Sequence, residues 1–543
     1  MKLPPPLTVA AAVDHWAATQ PDCRVLTVEG AGVRADETRT YAELAANGRR
    51  LAAGLLTQGL AAGERVATLL ANHAEFVDLM VAAALTGVVL VPIDPRTRGD
   101  KLVYMIGAAG CRGVVAADYA LPELLAVRGR LAAGLWIACL PTDEGRATDD
   151  TLCTAGITPW SALATAPAAG VDYVGVDPDS AMELIYTSGT TGDPKGIVMT
   201  HRRYCDTSRL TPMLFGLRAD DRLYSGLSLT HANAQIVTLG TALLNALPCV
   251  LSRRFTKSRL WDITRRYGCS SFTLLGGMTT AVYAEPPRAD DADNPVRMVI
   301  SAGMPAAIWN EFERRFGVRI LEFYGAAEGG LVVHPPGVGP VGSIGRTAPH
   351  LAHRIVDDDG RDVTPDADGS RIGEILFQGR DGTPARVEYH GNPEASAAKC
   401  QDGWLHMGDV VREDKDGWLY FLFRKGSGIR RNGEFIDPAF IEKVIAEAPE
   451  VDDVYVYGIP AANGVAGERD VVAAVVPRDA DLARFDVQAL FRRCRARLEP
   501  NVVPGFIQVL RQIPKTASEK PQDRFLIEAL TNDTAAVHTE ARG

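Results

Sequence analysis

The sequence predicts an α/β protein: a large N-terminal domain of stacked α/β sheets with a β-rich portion, then a small, mobile α+β domain at the C-terminus. Three observations carry this reading. Strand-like and helix-like segments alternate as far as Phe323. Short strands with Asp-Gly turns take over after Pro340. The pattern changes again after Arg424, beyond a join that carries glycines. At roughly 150 residues per domain, 543 residues make several folding units. The boundaries follow: 1–423 for the large domain, with 340–423 as its β-rich portion, 424–428 as hinge and 429–543 as the mobile domain.

Each element has its own signal. Leu7 to Trp16 and Tyr41 to Leu56 place Ala and Leu on one helical face. Arg65 to Leu70 reads as a buried strand, Glu75 to Leu85 as a helix and Val88 to Pro92 as a strand, which together make a βαβ unit on a parallel sheet. Gly113 to Ala117 and Leu135 to Leu140 continue it. Asp143 to Pro178, rich in Ala, Thr, Asp, Gly and Pro, reads as an irregular connection. Gly342 to Leu419 reads as short strands, with Asp-Gly turns at 359–360, 368–369, 402–403 and 416–417. In the small domain Phe440 to Ala446 and Val487 to Leu498 are helical, while Val454 to Ile459 and Val471 to Pro477 are strands. The polar residues from Thr531 onward read as frayed.

Composition excludes several classes. A net charge of −10 argues against nucleic acid or an anionic membrane as main partner. Basic pairs such as Arg253-Arg254 and Arg492-Arg493 suit a phosphorylated small molecule, with a solvated helix or loop face as the rival reading that is preferred. Nine scattered cysteines without a CxxC pair favour free thiols in a reducing compartment and no zinc framework. The N-terminus lacks the apolar core of a signal peptide. The longest apolar run, Leu79 to Pro92, is shorter than the roughly 20 residues a membrane helix needs. The expectation is a cytoplasmic enzyme with no membrane span.

One stretch points to chemistry. Leu184 to Gly196 reads LIYTSGTTGDPKG, with three glycines, four Ser/Thr hydroxyls and one lysine after an apolar entry. Glycines let backbone N–H groups approach an anion, hydroxyls add donors, and Lys195 adds a positive charge. That suits a polyphosphate, and no Gly-Lys-Ser/Thr closes the loop as in a P-loop. The string resembles the phosphate-binding signature of the ANL superfamily of acyl-CoA synthetases, adenylation domains and luciferases. The resemblance assigns Thr187, Ser188, Gly189, Thr190, Thr191, Gly192 and Lys195 to the nucleotide.

Further pieces follow in the family's order over nearly the whole chain. Glu322 to Gly330 (EFYGAAEGG) resembles the Tyr-Gly-x-Thr/Ala-Glu turn. By that similarity Glu328 holds Mg²⁺, Tyr324 stacks near adenine, and Glu322, Phe323, Gly325 and Ala326 line the nucleotide. Ala327 stands where most members have a Thr that contacts the α-phosphate. Trp404 to Asp409 (WLHMGD) brings Asp409 for the ribose hydroxyls, and Arg424 resembles the arginine that meets ribose or phosphate. Ser301, Ala302, Gly303 and Met304 match the turn beside adenine and acyl group. The acyl pocket is expected near His231, Gly276, Gly277, Gly303 and Met304, where small residues suit a bulky or cyclic acid. His231 also borders the CoA channel, with a backbone-satisfied buried histidine as the rival reading. Gly433 resembles the glycine beside the pantetheine tunnel, with a turn glycine as its rival, and Gly426 is the hinge residue.

Near the C-terminus, Pro514 to Gln522 (PKTASEKPQ) resembles the family's Pro-x-Thr-x-Ser/Thr-Gly-Lys. Lys520 is then the catalytic lysine that aligns the substrate carboxylate with the α-phosphate, and Glu519 replaces the glycine before it. Glycine takes φ > 0 at little cost and Glu does not. A second carboxylate near a triphosphate also adds repulsion. Two readings stand: Glu519 impairs adenylation, or it points to solvent and the loop works.

The resemblance implies an acyl-CoA ligase that uses ATP, Mg²⁺ and CoA on a carboxylic acid through an acyl-adenylate. Its first alternative is a ligase that only thioesterifies acyl-AMP supplied by a separate adenylating enzyme. The second is an adenylation domain that loads a carrier protein. Family members are monomers or homodimers.

Overall fold

The computed structural model describes residues 7–540 apart from 33, 146, 169–174, 187–193, 426–428, 432–433, 437, 462–468, 499–501, 517–518 and 520; at 430, 434, 435, 439 and 440 it describes the backbone only. The described residues form two compact units. The first comprises 1–256, 263–273 and 387–398, and the second 257–262, 274–386 and 399–543.

The first unit holds the predicted parallel sheet. Its seven strands run in the order Thr158–Pro159, Trp136–Leu140, Cys111–Ala117, Arg65–Leu69, Val89–Pro92, Ala181–Tyr186 and Gly196–Thr200. All neighbours are parallel except the last pair. That antiparallel pair brackets the Thr/Ser/Gly-rich loop. A second strand group in this unit contains Leu223–Ser225, Cys249–Ser252, Arg24–Glu29 and Glu37–Thr40.

Helices form where caps and periodicity agree. Tyr41–Thr57 opens on a capping box: Thr40 accepts from the Glu43 N–H and Glu43 accepts from the Thr40 N–H. The apolar run Leu79 to Pro92 is the end of helix Ala74–Thr86, a Gly87 cap at φ +74° and the strand Val89–Pro92. Among the described residues no helix is long and apolar enough to cross a membrane.

The second unit holds two antiparallel β regions and the C-terminal α+β segment. In one region Arg319–Ala326 pairs with Gly329–His334. In the other, Leu351–Val356, Arg371–Gly379, Trp404–Glu413 and Cys400–Gln401 are neighbours, and Leu419–Arg424 pairs with Trp404–Glu413. Asp402 and Gly403, at φ +50° and +79°, make the tight turn that joins Cys400–Gln401 to Trp404–Glu413. A short helix, Pro393–Lys399, which belongs to the first unit up to Ala398, interrupts the stretch expected to be short strands. The C-terminal segment orders its strands Val451–Pro460, Arg469–Pro477, Phe506–Val509 and Val537–His538. Val487–Arg497 packs on one face of this sheet and Asp523–Asn532 on the other.

Two expectations are corrected. Asp143 to Pro178 contains helices Asp149–Thr154 and Trp160–Ala164 and the edge strand Thr158–Pro159. Thr148 and Thr151 cap the first helix reciprocally, and Leu152, Ile157 and Leu163 anchor the stretch in the core. The residues after Thr531 are not frayed as far as Glu540. Val537–His538 pairs with Phe506–Val509, Gln488 donates to the Thr539 carbonyl and Arg495 pairs with Glu540.

Candidate active site

In the second unit, a two-residue hairpin turn presents Glu328. Ala326 and Gly329 are the last pair of the ladder, so Ala327 and Glu328 form its tip. Small residues make this possible. A Cβ at Gly325 would come within 2.9 Å of the Gly330 carbonyl oxygen, and one at Gly330 within 2.7 Å of the Phe377 ring.

Tyr324 leaves the same strand and donates its hydroxyl to Asp409 Oδ2 at 2.5 Å. Its ring lies near Phe377 and Phe421, with centroids at 6.5 and 6.4 Å. Burial and the adjoining Asp409 carboxylate raise the Tyr324 pKa far above that of an ordinary phenol. Asp409 is 7% exposed and sits opposite Arg424 in the ladder, with Arg424 Nε 3.4 Å from Oδ1. Lys425 is anchored just past it: its N–H donates to the Gly408 carbonyl and its ammonium pairs with Glu374 at 3.0 Å.

Glu322 is 2% exposed and holds a turn from beneath. Its carboxylate accepts from the N–H groups of Gly303 (2.5 Å) and Met304 (3.0 Å). Burial pushes its pKa up to about 8 against those hydrogen bonds. The clamp fixes Ser301 to Met304, where Gly303 takes φ +103°. A Cβ at Gly276 would lie 3.2 Å from the Gly303 carbonyl oxygen, so the two backbones approach closely only as glycines. A Cβ at Gly277 would lie 3.9 Å from the Glu519 carbonyl oxygen. Glu519 adopts φ +59°, and its N–H donates to the Thr516 carbonyl at 2.9 Å.

In the first unit, Lys195 is exposed, with Nζ 5.6 Å from the centroid of the Tyr389 ring. His231 is half-buried; its N–H donates to the Ser228 carbonyl, and its Nδ1 accepts from the Asn233 N–H at 3.3 Å. Thr187 to Gly192, Gly426, Gly433 and Lys520 lie outside the described residues.

The structure thus joins Tyr324, Asp409 and Arg424 into one group, and Glu322, Gly303, Met304 and Gly276 into another. Sequence reasoning missed Lys399, whose ammonium donates to the Met407 carbonyl at 3.2 Å. No motif marks that lysine. Three of the four arginines in the basic pairs are matched: Arg253 with Glu37, Arg492 with Asp486 and Arg493 with Glu447. Glu37, His73 and Glu75 cluster closely enough to hold a metal, but the Arg253 guanidinium contacts both His73 and Glu37 and disfavours a cation. All nine cysteines are free.

Comparison with known proteins gives the same picture. Residues 13–384 match the AMP-binding enzyme family and 441–520 the AMP-binding enzyme C-terminal domain. The human long-chain fatty acid transport protein 1 is 30% identical over 93% of this chain and 79% of its own length. A crotonobetaine/carnitine–CoA ligase of Salmonella choleraesuis is 28% identical over 89% of this chain and 91% of its own. The crystal structure of the anthranilate CoA ligase AuaEII with anthranoyl-AMP superposes with a TM-score of 0.81 at 21% identity, covering 98% of this chain and 99% of that one. The chain belongs to the AMP-binding enzyme family, as an acyl-CoA synthetase of the ANL superfamily and so an AMP-forming acid–thiol ligase.

Proposed function

We propose that this ligase carries out both half-reactions, adenylating a bulky or cyclic carboxylic acid with ATP and then transferring the acyl group to CoA. The observation that carries this is the backbone of Glu519. It takes φ +59°, in the left-handed region that favours glycine, and its carbonyl oxygen would lie 3.9 Å from a Cβ on Gly277, a residue expected in the acyl pocket. Glu519 itself therefore accepts the left-handed backbone that a glycine takes readily, which favours a working loop despite the substitution. The strain of a non-glycine residue in this region is about 1–2 kcal/mol, which a folded loop absorbs.

In the first step the substrate carboxylate attacks the α-phosphorus of ATP and pyrophosphate leaves. Asp409 accepts from the ribose hydroxyls, Arg424 stands beside it, and Tyr324 lies along the adenine. Thr187 to Gly192 and Lys195 stabilise the leaving charge, and Lys520 aligns the nucleophile. Glu328 fits Mg²⁺, since a hairpin-tip carboxylate is a hard oxygen donor, and the ion would neutralise phosphate charge. The domain from 429 to 543 then turns about Gly426. CoA enters past Gly433 and His231, its thiol attacks the acyl carbon, and AMP leaves. Glycines at 276, 277 and 303 leave no side chains to project into the expected acyl pocket, which favours a bulky or cyclic acid. Nine free thiols favour a reducing, cytoplasmic setting.

The test supplies CoA with either acid plus ATP or preformed acyl-AMP, across aryl, cyclic, carnitine-type and long-chain acids. The proposal expects thioester from both donors and acid-dependent pyrophosphate exchange. Thioester from acyl-AMP alone would mean a thioesterifying half-enzyme that depends on an adenylating partner. Transfer to holo-carrier protein in preference to CoA would select the carrier-loading reading.

A further inference from the structure

The helix Pro393–Lys399 ends on a lysine that enters the group around Asp409. Lys399 Nζ donates to the Met407 carbonyl at 3.2 Å, and the same oxygen accepts from Arg424 Nη2 at 3.4 Å. Two cations therefore converge on one acceptor. Their surroundings are unequal. Arg424 has Asp409, and Lys425 has Glu374 and Asp358. Among the described residues the Lys399 ammonium has that single hydrogen bond and no ion pair.

An ammonium drawn out of water needs an anion to offset lost hydration. Burial pulls the Lys399 pKa down, and of the carboxylates opposing that shift Glu328 acts most strongly, ahead of Asp409 and Glu374. Lys399 thus stands in the field of both Glu328 and Asp409. In a nucleotide the α-phosphate is the group bonded to the ribose on one side and to the metal-binding phosphates on the other. Ala327, beside Glu328, offers no side-chain donor for that phosphate.

Resting on the nucleotide reading above, we infer that Lys399 is an α-phosphate-binding residue of this site, held by the Met407 carbonyl so that its remaining N–H donors meet the phosphate shared by ATP, AMP and the acyl-adenylate. The ammonium and the phosphate oxygens form a charge-assisted contact that neither the ribose nor the adenine can supply.

Binding of adenosine, AMP and Mg·ATP to the full-length protein tests this by calorimetry. In K399Q, AMP and ATP affinity should fall about tenfold while adenosine affinity stays within about twofold, as expected for one lost charged hydrogen bond. K399R keeps the charge and should recover most of the loss. A fall of less than about threefold for AMP, a parallel fall for adenosine, or a loss confined to ATP overturns the assignment. Amine acetylation of the unmutated protein, read by mass spectrometry, gives an independent arm if K399Q does not fold. AMP should shield Lys399 and adenosine should not; equal labelling overturns the inference. Unmutated protein that binds neither adenosine nor AMP fails the nucleotide reading itself. Normal AMP binding with an indifferent K399Q fails only the role of Lys399.

Discussion

At the scale of single residues, backbone and side chain make separate contributions, and Glu519 shows both. Its φ of +59° is strained for any residue with a Cβ. Glu519→Gly removes that strain but adds freedom to the unfolded chain, so the net gain is smaller, about 0.5–1 kcal/mol. Urea unfolding measures it. Pyrophosphate exchange should change by less than about fivefold, because Glu519 already holds a backbone that glycine can adopt and about 1 kcal/mol bounds the effect. A gain of several hundredfold would show that Glu519 had silenced adenylation through its charge. Asp409 shows the side-chain contribution. It is nearly buried, accepts from Tyr324 and faces Arg424, so it is held still, as the proposed ribose contact requires. Asp409→Asn keeps the shape and loses the acceptor charge. AMP affinity should fall roughly ten- to a hundredfold, the equivalent of one or two charged hydrogen bonds. Calorimetry against AMP checks this, and unchanged affinity would remove Asp409 from the nucleotide site.

At the scale of elements, two strands carry buried carboxyls with opposite degrees of support. Glu183 on Ala181–Tyr186 is 1% exposed, and burial pushes its pKa up to about 7. Glu322 on Arg319–Ala326 reaches about 8 even though two backbone N–H groups serve it. Both folded-state values lie above the ordinary carboxyl value, so the folded protein holds protons that the unfolded chain has released. Stability from these groups is therefore present at low pH and declines as pH rises from about 5 through 8, by up to about 1.4 kcal/mol per pH unit for each group. Denaturant unfolding from pH 5.5 to 8.5 should show that decline, and E183Q with E322Q should flatten it. An unchanged slope in the double variant would mean that other groups cause the decline. The same elements explain what was legible beforehand. Regular strands separated by helices announce themselves through periodicity, as Arg65–Leu69, Ala74–Thr86 and Val89–Pro92 do. Helix Asp149–Thr154 escaped because its reciprocal cap uses Thr151 where Glu or Gln is usual. The eight-residue π-helical turn Asn233–Gly240 has no local signature either. The strand Val537–His538 depends on a partner, Phe506–Val509, that is remote in sequence. Motif residues could be named from the chain. That the Tyr324 hydroxyl reaches Asp409, 85 positions away, is a property of the fold, and so is the place of Lys399.

At the scale of the whole molecule, the two half-reactions proposed above require one chain to bring a lysine and later a thiol to the same acyl group, and on that proposal the loop that carries Lys520 has to be firm without being fixed to the large domain. Its two ends are tied within the C-terminal segment. Lys515 pairs with Asp453 at 2.5 Å, Lys515 and Pro521 form a bridge, and the Gln522 N–H donates to the Pro514 carbonyl at 2.9 Å. Asp453 lies on Val451–Pro460, a strand of the C-terminal sheet, so Lys515 is anchored to that sheet. Lys515→Met keeps the aliphatic stem and removes the ion pair. The half-buried pair is worth about 1 kcal/mol, too little to unfold the segment but enough to widen the path of Lys520. A misplacement of about 1 Å at a reacting centre lowers a rate by roughly a hundredfold, so a partial loosening should slow adenylation by about five- to twentyfold. Conversion of supplied acyl-AMP and CoA to thioester does not need that lysine and should hold within about twofold. Acid-dependent pyrophosphate exchange and thioester formation from acyl-AMP, measured on the same preparation, separate the two. Equal loss in both would mean that the Lys515–Asp453 pair supports the segment as a whole. Loss confined to the first would mean that the tie serves the one half-reaction in which the loop must stand still.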